Sequence, residues 1–89
     1  NGFYLNTNNT ANTIENAIIT DGGQEAVGHW FDNPANINLG YSGSNVYLNL
    51  SDVEINNSGG CGIAEGGGTI DLTLNNVNYS GNAGNDYCN

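Results

Sequence analysis

The sequence predicts an all-β chain built as a right-handed parallel β-solenoid of about three coils, and three observations carry that expectation. An apolar phrase recurs at fixed steps along the chain. Clusters of Gly and Asn separate the apolar runs. No stretch carries a helical apolar stripe of useful length. The hand follows from the strong right-handed bias of crossovers between parallel strands.

The recurring phrase is clearest in "LSDVEINNSGGCGI", which begins at Leu50. It has earlier and later copies in "IENAIITDGG" from Ile14 and "LNNVNYSGNAG" from Leu74. Aligned, the copies give apolar columns Ile14, Leu50, Leu74; Ala17, Val53, Val77; and Ile19, Ile55, Tyr79, at steps of 36 and then 24 residues. A further column runs through Val27, Ile63 and Tyr87, and 24 residues before Val27 stands Phe3. Val46, Leu48 and Leu50 stand in the same relation to Ile70, Leu72 and Leu74, whereas Thr10 and Asn12 make the first coil more polar there. Repeats that cannot bury an apolar face alone must stack, so like residues lie about 4.8 Å above like. The columns predict one solenoid domain over 1–89, with coil 1 at about 3–27, coil 2 at about 27–63 with an insertion near 28–43, and coil 3 at about 63–87. Between the apolar columns sits a polar one, Asn16, Asp52 and Asn76, read as a hydrogen-bonded ladder at a bend.

Composition narrows the functions. Asn occurs 19 times and Gly 14 times, which suits frequent tight turns. With no Lys or Arg against nine Asp and Glu, the formal charge is −9. Phosphate recognition needs basic side chains, so nucleic acid is not an expected partner, and no run is apolar enough to insert in a membrane. No cofactor is required; calcium is the ion that the charge would favour. "GNAGNDY" matches a calcium-binding Gly-Asp turn repeat in a single copy, which singles out Asp86 as the candidate ligand.

The phrases "NTIENAIITDGG", "NLSDVEINNSGGCGI" and "LTLNNVNYSGNAGNDYC" resemble the right-handed parallel β-helix repeats of pectin-lyase-like secreted proteins, particularly their terminal coils. The resemblance implies an extracellular location. It does not bring catalysis with it. Lyases of that group use a basic residue, and none is present; the hydrolases use paired Asp, Gly-His-Gly and Arg-Ile-Lys, of which only Gly28-His29 appears, with Trp30 after it. The expectation is therefore a protein that is not an enzyme. In a secreted chain Cys61 and Cys88 are a candidate disulfide. Strict alternation points Cys61 inward with Ile63 and Cys88 outward after Tyr87, so a bridge requires a slip or kink in the last rung.

Two surfaces follow as candidates. His29, Trp30, Phe31 and Asp32 fall in the insertion, and insertions in solenoids map to loops on one face, so they form a candidate glycan-binding or adhesin loop. The chain opens on a strand at Phe3, Tyr4 and Leu5 and closes on one at Tyr87, leaving sheet edges open at both ends. The leading expectation is a structural extracellular unit that stacks end to end into a filament or continues a longer β-helix. The alternatives are the binding module and a fragment of a polysaccharide-active enzyme.

Overall fold

The computed structural model describes residues 2–23, 34–41 and 43–88. Those residues form seven strands and no helix: β1 (Phe3–Leu5), β2 (Thr13–Thr20), β3 (Ala35–Leu39), β4 (Asn45–Asn56), β5 (Cys61–Glu65), β6 (Thr69–Ser80) and β7 (Tyr87–Cys88). Odd and even strands go to different sheets, in the orders β1-β3-β5-β7 and β2-β4-β6. Every pairing is parallel. The chain thus visits the two sheets alternately and stacks one layer per visit.

In the second sheet the register follows the apolar columns: Ile14 pairs with Leu50 and Leu50 with Leu74, while Ile19, Ile55 and Tyr79 align in the same way. The long strands are bent at the polar column. Asn16, Asp52 and Asn76 all have left-handed backbone, with φ of 52°, 55° and 56°. Apart from Gly, Asn and Asp enter that region at least cost. The bend resets the alternation, so Leu50 and Val53, three residues apart, are both buried against the interior. A second left-handed column stands five residues on, at Asp21, Asn57 and Gly81, with φ of 64°, 54° and 68°. It turns the chain out of the sheet while keeping the ladder intact: Asp21 N–H donates to Asn56 O and Asn57 N–H to Ser80 O.

The first sheet corrects the register read from spacing. Phe3 pairs with Ile37, Ile37 with Ile63 and Ile63 with Tyr87, so the column runs through Ile37 where the sequence spacing selects Val27. The cause is the placement of the extra residues. Residues 21–34 join β2 to β3 where 57–60 suffice between β4 and β5, and 40–44 join β3 to β4 where 66–68 suffice between β5 and β6. The insertion is therefore split around β3 and is not a single block near 28–43.

Buried amides hold the corners. Asn36 Oδ1 accepts from Gly22 N–H at 2.7 Å and its Nδ2 donates to Ile19 O at 3.2 Å. One layer on, Asn82 Oδ1 accepts from Ser58 N–H at 2.9 Å and its Nδ2 donates to Ile55 O at 3.1 Å. Gly22 and Ser58 are equivalent residues, as are Ile19 and Ile55, yet one clamp comes from inside β3 and the other from the turn after β6. The fully buried core, Ile37, Leu39, Val46, Leu48, Leu50, Val53, Ile55 and Ile63, belongs to the middle strands β3, β4 and β5, and each is 0–2% exposed.

Candidate functional site

The broadest feature of the surface is the pair of ends. The molecule measures 30 × 29 × 16 Å, and its shortest dimension is close to three or four strand spacings of about 4.8 Å. The faces that cap the stack are thus its large faces. At one end lie β1 and β2, at the other β6 and β7, each an outermost strand of its sheet. Inward-pointing side chains there have a neighbour on only one side. Phe3, Leu5, Ile14 and Ile19 at the first end, and Ile70, Leu72, Val77 and Tyr79 at the second, pack on the core while remaining partly exposed. Leu74, stacked on the wholly buried Leu50, is 45% exposed.

The sequence-based edge residues fall where the spacing puts them: Phe3, Tyr4 and Leu5 form one edge of the first sheet and Tyr87 lies in the strand at the other. Within the polar ladder, Asn76 Nδ2 donates to Asp52 Oδ1 at 2.7 Å, and Asn16 shares their backbone conformation one layer below. The polar column therefore marks a fixed bend in the strands, and the side-chain bond links its second and third members.

Cys61 and Cys88 are bonded to each other, with Cα atoms 6.2 Å apart. The register is unbroken through β5 and β7, and Cys61, Ala64 and Ala35 form one small buried cluster on which Cys88 packs. Cys88 pairs in register with Ala64, which brings its sulfur over that cluster. Beside the bridge, Tyr87 Oη donates to Glu65 Oε2 at 2.6 Å. Burial, then the Glu65 hydrogen bond and charge, push the Tyr87 phenol well above its ordinary range. Burial, and to a smaller degree Asp86, raise Tyr79 as well.

Asp86 is exposed, and its Oδ1 accepts from Asn82 Nδ2 at 3.3 Å, so this carboxylate helps fix the turn that carries β7. Among the described residues no three His, Cys, Asp or Glu side chains gather in a way that would hold a metal. His29, Trp30, Phe31 and Asp32, the candidate binding loop, lie outside the described residues.

Two features escaped the sequence reading. The second left-handed column hides behind three different residue types, Asp21, Asn57 and Gly81, although each opens a Gly-containing turn. The Asn36 and Asn82 clamps occupy equivalent places in space from non-equivalent places in the chain, so no spacing reveals them. Compared with known proteins, the chain matches no family model, no curated protein and no solved structure.

Proposed function

We propose that the two sheets are walls of a right-handed parallel β-helix of three coils, and that the protein is a non-catalytic extracellular structural unit whose ends pair with further coils. Those coils belong to other copies stacked end to end, or to flanking parts of a longer chain. One observation carries this reading: apolar columns that are 0–2% exposed in the middle layer continue, half-covered, to both broad faces. Adding a coil at either end would bury them and pair the open strand edges, which otherwise act as templates for strand addition. A face with an outline of 30 × 29 Å is also of the order of the roughly 800 Å² per partner found in standard interfaces.

The disulfide supports an oxidising compartment. Right-handedness rests on the general bias of parallel crossovers. A charge of −9 without any Lys or Arg opposes contact between copies, so assembly strengthens as salt screens it.

Sedimentation velocity and negative-stain electron microscopy over a wide protein concentration range, under both oxidising and reducing conditions, test the proposal. The expected result is filaments under at least one condition, with an axial repeat of about 14 Å, three strand spacings. Folded protein that stays monomeric under every condition would refute assembly between copies.

A further inference from the structure

The two walls are unequal: one sheet has four strands and the other three. We propose that β7 is a plug, and that the edge formed by β5 and β6 accepts β1 and β2 of a second copy only when the Cys61–Cys88 bond is opened. This rests on the assembly reading above and specifies its register and control.

The register is set by equivalence. β2 lies on β4, and β4 on β6, along the same apolar columns. Continuing them places Ile14 of a second copy over Leu74, Ala17 over Val77 and Ile19 over Tyr79. The bends then coincide. Asn16 (φ 52°) comes over Asn76 (φ 56°), and Asp21 (φ 64°) over Gly81 (φ 68°). An arbitrary extended peptide lacks two left-handed residues at this spacing and would leave the edge at Asn76, whereas a second copy carries both. Charge agrees with the same placement. Glu15 meets Asn75, Ile18 meets Asn78 and Thr20 meets Ser80, so no carboxylate faces another across this strand pair.

In that placement β1 of the second copy arrives on β5, with Phe3 over Ile63 and Tyr4 over Ala64. Those partners are taken. Ile63 pairs with Tyr87 and Ala64 with Cys88. β7 and the incoming β1 compete for one edge, and β7 is held there by the disulfide, by the Tyr87 to Glu65 hydrogen bond and by the Ile63 N–H donating to Asp86 O at 2.9 Å. The covalent link is the strongest of these. A dithiol reductant opens it: the sulfur–sulfur bond between Cys61 and Cys88 breaks and takes up two electrons and two protons, while the reductant closes its own disulfide. The two-residue β7 then has only weak hold on β5, and a longer β1–β2 unit displaces it.

The test compares three proteins by sedimentation velocity and electron microscopy: the oxidised chain with and without dithiothreitol, the Cys61→Ala/Cys88→Ser variant, and a Cys61→Ala chain shortened to end at Asp86. Circular dichroism monitors strand content in each. The expected result is monomer for the oxidised chain and a shift to filaments for the other forms, with the 14 Å repeat, about three strand spacings. Oxidised protein that polymerises as readily as the shortened chain overturns the plug and leaves assembly standing. Folded samples that all stay monomeric overturn both. Loss of strand signal in both disulfide-free variants makes β7 a structural strand and likewise overturns the plug.

Discussion

The column Ile14–Leu50–Leu74 allows one side chain to be tested in two settings, because Leu50 is 0% exposed and Leu74, directly above it, is 45% exposed. Leu50→Ala removes a fully enclosed isobutyl group and leaves a cavity in a layer covered on both sides, which costs about 3–4 kcal/mol. In Leu74→Ala about half of the side chain already faces water, and the open end has no lid to hold a void, so the cost is nearer 1 kcal/mol. For a domain of this size each kcal/mol moves the melting temperature by roughly 4–8 °C. Thermal unfolding of the oxidised monomers by circular dichroism should therefore show a fall on the order of 20 °C for Leu50→Ala and about 6 °C for Leu74→Ala. Equal large losses would mean that Leu74 is already enclosed, and the open-end description would be wrong. In filaments Leu74 becomes an interior residue, and Leu74→Ala should raise the critical concentration several-fold.

Gly81→Ala should destabilise by about 1–3 kcal/mol in chemical denaturation, because φ there is 68° and a Cβ would run into Asn57 Oδ1; Asn57→Gly, one layer away in the same column, should change stability by less than about 1 kcal/mol. Reducing the disulfide, which spans 27 residues, should lower the unfolding free energy by roughly 3–4 kcal/mol on the chain-entropy estimate, and an unchanged denaturation midpoint would contradict this. Tyr87 has its pKa raised on folding from an ordinary 10.0, so its contribution is complete below pH 10 and fades as the pH rises above it. Absorbance titration near 295 nm should lose its last-ionising tyrosine in Tyr87→Phe, along with part of the alkaline loss of stability, while the smaller rise at Tyr79 remains. Calcium should promote assembly no more than a monovalent salt of equal ionic strength, since no three possible ligand side chains gather among the described residues; a chelator-sensitive excess that is lost in Asp86→Asn would assign calcium to Asp86.

Most of the second sheet was legible in the sequence, because Ile14, Leu50 and Leu74 repeat together with the bend residues Asn16, Asp52 and Asn76. A left-handed residue inside a strand writes a three-residue gap into an otherwise alternating pattern, and that gap is visible. The first sheet was harder. A 24-residue step from Phe3 lands on Val27, but the added residues sit on both sides of β3, so the partner is Ile37. β3 itself, "ANINL", has Asn36 and Asn38 fully buried, and alternation alone reads buried Asn as outward-facing. The cysteine pair was the opposite case: alternation sets Cys61 and Cys88 on opposite faces, yet the two are bonded with the register unbroken, because both pack into the small cluster around Ala35 and Ala64. At the candidate site, the edge strands were readable from where the columns stop, whereas the proposed competition between β7 and a second copy's β1 depends on counting the strands in each sheet, which only the register gives.

The two Asn clamps have a consequence for how such a chain can change over time. Asn36 and Asn82 satisfy equivalent backbone groups from different points in the sequence, so the corner demands an amide at a location and does not prescribe the path by which the chain delivers it. Lengthening or shortening the segment between β2 and β3 is then neutral to the stacking of layers, provided the returning strand still brings an Asn to that spot. The fold thus separates the length of a connection from order in its interior, on condition that Asp21 keeps its left-handed backbone and Gly22 its bond to Asn36.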